Sequence, residues 1–174
     1  PYAFYQFWLN VDDADVVRFL KVFTFLDRPQ IERLEKTVED APYKREAQKA
    51  LAAEVTKLVH GEETLQRVLE ATDALWGSGD LKKVDAATLS AATSELPAGE
   101  VAFGEATIVD ALVAAGLEKG KRAARTTVSS GGAYLNNERV ESEDQIISAE
   151  DALADGTVLI RKGRRNLAVV RPAK

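Results

Sequence analysis

A chain of 174 residues, 45% hydrophobic and 29% charged, can bury an ordinary core as one large domain or two small ones without disulfide or metal support. It has no cysteine and a single histidine, His60, which excludes thiolate nucleophiles, Cys-based zinc sites and multi-histidine metal sites. A formal charge of -5 argues against indiscriminate nucleic-acid coating; no apolar run reaches the roughly 20 residues that span a bilayer, and no signal-peptide order opens the chain, so it reads as cytosolic and not membrane-bound.

The first half predicts helices throughout. Val16, Phe19, Leu20 and Phe23 follow i, i+3, i+4, i+7 spacing behind the acidic turn of Asp12, Asp13 and Asp15, which suits a helix N-terminus. Pro29 marks the start of a second such helix with Ile31 and Leu34 inward. After Pro42 a longer one carries Ala47, Leu51, Val55, Leu58 and Val59 and stops at Gly61. Leu65, Val68, Leu69, Leu75 and Trp76 repeat the pattern. The aromatic run of Tyr2, Phe4, Tyr5, Phe7 and Trp8 is expected to pack against this bundle rather than to stack on bases.

Residues 78–105 read as a connector with one short helix capped by Asp85, and the domains are placed at 1–98 and 99–174. Thr107 caps the next helix, in which Ile108, Val109, Leu112 and Val113 face inward, and a second helix spans about Lys119 to Ser129. Residues 133–136, 157–161 and 166–170 predict strands, the last two joined as a hairpin. The fold class is therefore α+β: an α-helical bundle, then two helices and a short antiparallel sheet.

Catalysis has little material. Neither G-x-G-x-x-G nor G-x-x-x-x-G-K-[ST] occurs, so no catalytic residue, metal ligand or nucleotide cofactor is assigned to this chain. His60 reads as a helix-end residue. The acidic side chains concentrate before residue 99, with 17 acidic against 12 basic, whereas residues 99–174 hold 11 of each. Within that balanced half, Lys119, Lys121, Arg122 and Arg125 form one basic cluster, and Arg161, Lys162, Arg164 and Arg165 another with Arg171. Helical spacing puts Lys121, Arg122 and Arg125 on one side, and guanidinium groups at a hairpin tip can grip phosphates bidentately. Two such clusters on an acidic chain indicate directed RNA contact, set against a solvated charged surface as the plain alternative.

The segments 1–16, 18–21 and 23–24, PYAFYQFWLNVDDADV, RFLK and FT, resemble the part of bacterial tyrosyl-tRNA synthetases that follows the catalytic signature loop. Val59 to Glu63 resembles that family's helical anticodon-binding domain. Residues 131–136 and 155–163 resemble its C-terminal domain, which is similar to the RNA-binding module of ribosomal protein S4. In the basic helix the S4-like pattern has paired arginines followed by large aliphatics, where this chain has Ala124-Arg125-Thr126-Thr127-Val128. The resemblance implies an ATP- and Mg-dependent tyrosine-tRNA ligase of class I, a homodimer, whose catalytic half and signature motifs lie outside these 174 residues. The absence of methionine also suits a piece of a longer chain. The implied partner is tRNA(Tyr), held by its anticodon stem and long variable arm, with Asp12, Asp13 and Asp15 as candidates for reading a guanine edge of the anticodon. A stand-alone S4-like RNA-binding adaptor and a protein-interaction module are the competing readings.

Overall fold

The structure is a computed structural model that describes residues 1–76, 79–163 and 166–173. It contains eight α-helices and one five-stranded sheet among those residues, and the chain divides into two compact units, Pro1–Leu69 and Glu70–Lys174.

The first unit is helical. Helices α1 (Tyr2–Leu9), α2 (Asp13–Phe23) and α3 (Arg28–Asp40) each pack on α4 (Glu46–His60), and α5 begins at Glu62. Pro29 sits in the first turn of α3, where its missing N–H is no loss. Asp27 and Gln30 close a reciprocal capping box there, each side chain bonding the other's backbone N–H at 2.9 Å. Val16, Leu20, Ile31, Leu34, Ala47, Leu51 and Val55 form the core at the spacing read from the sequence. Leu58 and Val59 do not join it. Phe4 of α1 meets that last turn at His60, its ring 5.0 Å edge-on from the imidazole, while both aliphatics stay 58% exposed. The aromatic run does pack: Tyr2 and Tyr5 are buried, and Trp8 lies within 5.3–6.0 Å of Phe7, Phe19 and Phe23. Phe7 turns outward.

In the second unit, α5 ends at Trp76 and α6 (Ala86–Thr93) starts at Asp85, whose carboxylate accepts from Thr88 N–H at 2.9 Å. The stretch expected to be a connector holds a strand instead, β1 (Ala98–Val101). It runs parallel to β5 (Asn166–Pro172), with Ala98 opposite Val169, so the sheet is mixed rather than purely antiparallel. Gly99 explains the misreading. A Cβ there would lie 2.5 Å from the Ala114 backbone, so the glycine permits strand and helix to approach closely rather than marking a linker. The boundary between the two compact units accordingly falls at 69/70, ahead of 98/99. The β1–β5 ladder and a 2.6 Å bond from Asn137 Nδ2 to the Ala74 carbonyl draw residues from α5 onward into the second unit.

Helix α7 (Ile108–Ala114) leads to α8 (Lys121–Ser129), then to β2 (Ala133–Leu135), β3 (Glu138–Arg139), β4 (Val158–Lys162) and β5. The sheet order is β1-β5-β4-β2-β3, with β4 and β5 in the expected hairpin, Lys162 opposite Asn166. Helices α7 and α8 bury Ile108, Leu112, Ala124 and Val128 together with Ile160, Ala168 and Val170 of the sheet.

Candidate nucleic-acid interface

The basic cluster stands on α8 because Ala124 and Val128, four residues apart, anchor one face of the helix in the core and turn Lys121, Arg122 and Arg125 to solvent. Thr107 positions the preceding helix. Its backbone N–H donates to Asp110 Oδ2 at 3.0 Å, completing a capping box, and the other oxygen of Asp110 takes Lys121 Nζ at 2.7 Å. The ammonium and the two Thr107 bonds hold the Asp110 carboxyl below its usual range. One basic residue of the helix is thus tied to α7.

Arg125 is tied as well, with Nε 3.6 Å from Glu143. Arg122 has no ion pair among the described residues, and Lys119 none either; both are exposed. They flank Gly120 in the lining of an open groove of about 800 Å³ that Thr126 and Thr127 also line. The positive face expected from spacing is therefore present, but the fold neutralises half of it. Exposed pairs of this kind are worth about 0–1 kcal/mol, so a phosphate can replace Asp110 or Glu143 at small cost.

The hairpin cluster divides differently. Arg161 lies half-buried with its guanidinium carbon 4.3 Å from the centre of the Tyr134 ring, and its Nε is buried without a hydrogen-bond partner. Lys162 Nζ is 2.9 Å from Glu118, whose side chain is only 9% exposed and also accepts from the Thr127 hydroxyl. That hydroxyl first and Lys162 second keep the Glu118 carboxyl below its ordinary range. Arg161 thus braces two strands of the sheet, whereas Lys162 holds the sheet to the segment between α7 and α8. Arg164 and Arg165 lie outside the described residues, and Arg171 is exposed near the end of β5.

The acidic turn also separates by residue. Asp12 occupies the N-cap position of α2 in extended conformation, yet its side chain makes no capping bond; it is exposed and has no partner among the described residues. Asp13 accepts from Gln48 Nε2 at 2.5 Å and Asp15 pairs with Arg18 at 2.9 Å. Gln48 is nearly fully buried, so Asp13 ties α2 to α4.

Sequence reasoning missed two polar features of the second unit. Tyr134 was read only as a strand residue, though alternation on β2 puts it beside Arg161 on β4. Asn136 and Asn137, both at positive φ, form the β2–β3 turn; Asn136 also donates to the Asp151 carbonyl at 2.6 Å and accepts from Leu159 N–H at 2.9 Å. Adjacent asparagines after a short alternating run were the available signal.

This architecture, helices followed by an α/β unit with a basic helix, coincides with two family descriptions. Residues 1–77 match tRNA synthetases of class I (W and Y), and residues 88–170 match the tyrosine–tRNA ligase SYY-like C-terminal domain. The class is that of the class I tRNA synthetases. A tyrosine–tRNA ligase of Streptomyces avermitilis is 49% identical over 170 residues, 98% of this chain and 40% of the relative; one of Corynebacterium glutamicum is 47% identical over 172 residues, 98% and 41%. A solution structure of a tyrosyl-tRNA synthetase C-terminal domain aligns with 55% of this chain and 97% of its own at 31% identity and a TM-score of 0.44. The chain belongs to the tyrosine–tRNA ligase family, and it spans about two fifths of the length of these relatives.

Proposed function

We propose that this chain binds tRNA for a tyrosine–tRNA ligase, with the S4-like unit gripping phosphates and the helical unit facing the anticodon. The substrate in this reading is tRNA(Tyr), engaged through its anticodon stem and long variable arm. ATP-dependent aminoacylation, its Mg²⁺ and the homodimer contact belong to a catalytic module of the kind that fills the rest of the relatives' length. Among the described residues no group of three or more histidine, aspartate or glutamate side chains is placed to hold a metal ion.

The observation that carries the reading is the pair Lys119 and Arg122, exposed, cationic and unpaired on either side of Gly120 above the α8 groove. Replacing Arg122 by alanine is expected to weaken tRNA binding and reduce the slope of log affinity against log salt by roughly one unit, across tRNA sequences alike. Unchanged affinity and slope would make the α8 face a solvated surface. Salt-insensitive association with a protein would instead favour an interaction module, for which Phe7 and Phe25, 67% and 88% exposed, are the available surface.

Asp12 is the strongest of the three anticodon candidates, because Asp13 and Asp15 already have intramolecular partners. A carboxylate is repelled by phosphate and accepts from a guanine's amino and imino groups. Asp12→Asn should reduce discrimination between guanine and adenine at the first anticodon position, measured with two tRNA transcripts differing only there. Equal discrimination by the variant would leave Asp12 as a helix-start residue.

A further inference from the structure

The two ion pairs that occupy α8 are held by unequal means. Lys121 meets Asp110 at 2.7 Å, and Asp110 is itself fixed by Thr107, whose backbone N–H and hydroxyl both donate to its other oxygen at 3.0 Å. Arg125 meets Glu143 at 3.6 Å, beyond hydrogen-bond distance, and the Glu143 carboxylate makes no other hydrogen bond or ion pair among the described residues. Glu143 stands in an exposed loop, 141–144, that carries Glu141 and Asp144 as well. Lys121 is therefore tied into the fold, whereas Arg125 is only neutralised.

Asp110, Lys121, Arg125, Glu143 and Asp144 line one polar hollow of about 160 Å³, which shares Lys121 with the larger α8 groove. Three carboxylates face two cations there, so the hollow repels an anion that the groove attracts. Arg122 and Arg125 are three residues apart on α8, which makes their side chains neighbours, with about 5–6 Å between Cβ atoms. An RNA backbone that reaches the free Arg122 therefore brings a further phosphate towards Arg125 and, with it, towards Glu143 and Asp144. A loosely held RNA stops at the free cations, because the next contact requires it to displace a carboxylate and to stay beside it. An RNA fixed in register by contacts elsewhere presents that phosphate with no further ordering cost, and the weaker of the two pairs is the one it can exchange.

We propose that Glu143 is a specificity-determining residue of the RNA face: it holds Arg125 as an intramolecular counter-ion, so that unrelated RNA binds on Lys119 and Arg122 alone while tRNA(Tyr) exchanges Glu143 for a phosphate. This rests on the tRNA-binding reading above, and to the residues that attract RNA it adds one that selects among RNAs.

The test measures binding of the whole chain to a tRNA(Tyr) transcript and to an unrelated RNA stem-loop, by fluorescence anisotropy across a salt series. Glu143→Gln is expected to tighten the stem-loop roughly fivefold and to steepen its slope of log affinity against log salt by about one unit, because Arg125 becomes available to a phosphate. It should tighten tRNA(Tyr) by less, so that the ratio of the two affinities falls. In the wild-type background Arg125→Ala should weaken tRNA(Tyr) more than the stem-loop, and in the Glu143→Gln background it should weaken both alike. Glu141→Gln removes the same charge from the same loop without touching the pair, and should leave the ratio where the wild type has it. Circular dichroism checks that each variant is folded. If Glu143→Gln leaves the stem-loop affinity and slope unchanged, or tightens both RNAs by one factor, or if Glu141→Gln lowers the ratio as far, Glu143 does not select, and the tRNA-binding reading is judged by Arg122→Ala alone. If the wild type binds no RNA of any kind, that reading and the selecting role fall together.

Discussion

Glu118 shows how one residue can decide between structural and functional charge. Its carboxylate, nearly enclosed, accepts from Thr127 on α8 and pairs with Lys162 on β4, so it fixes the basic helix against the sheet. Removing the charge while keeping the shape, Glu118→Gln, should cost about 1.5–3 kcal/mol, the usual range for hydrogen bonds to charged groups, read from urea unfolding at neutral pH. The pH dependence follows from the depressed folded-state value. The group contributes fully above its unfolded-state value of about 4.3, and that contribution disappears as the pH falls through the lower folded-state value. The acid limb of the wild-type stability profile should therefore be steeper than that of Glu118→Gln. Parallel limbs would show that the carboxylate's titration is not linked to folding.

At the scale of elements, α7 and α8 divide the work. Helix α7 is seven residues long, too short to persist by propensity alone, and its start depends on the reciprocal Thr107–Asp110 box. Thr107→Ala should destabilise the protein by about 1 kcal/mol. It also removes bonds that hold Asp110 in place for Lys121, and a chemical melt compared with that of Asp110→Asn separates the cap from the ion pair. Helix α8 has no side-chain cap at Gly120, and Lys119, Lys121 and Arg122 crowd its positive end. Like charge at that terminus opposes the helix dipole, a local cost that tertiary burial of Ala124 and Val128 offsets and that a bound phosphate relieves. Such a helix fits a protein whose ligand is an anion.

Across the whole molecule, charge and motif content set what the chain does. The excess of carboxylates lies before residue 99 and the exposed cations Lys119 and Arg122 lie after it, a distribution that, in the tRNA-binding reading proposed above, favours the second unit for phosphate contact. Neither G-x-G-x-x-G nor G-x-x-x-x-G-K-[ST] occurs in the 174 residues. The purified chain should accordingly show no tyrosine-dependent pyrophosphate exchange with ATP, while binding tRNA in a salt-dependent manner. Exchange above background would overturn the assignment of the chemistry to another module.

The helices of both units, the cap at Asp85, the inward positions of α2 to α4 other than Leu58 and Val59, and the β4–β5 hairpin were legible in the sequence because each rests on local rules: periodicity, capping side chains, and glycine or proline at the ends. The resemblance to tyrosyl-tRNA synthetases was legible for the same reason, since it rests on contiguous residues such as 1–16. Strand β1 was not. Its pairing partner lies some 70 residues away in the chain, and its glycine signals a close approach to α7 that no local pattern contains. Spacing likewise identified Lys121, Arg122 and Arg125 as one helical face, but the carboxylates that occupy two of them come from α7 and from Glu143. Local sequence determined where the cations stand; only tertiary structure decided which of them are free, because an ion pair depends on what distant segments place within about 4 Å.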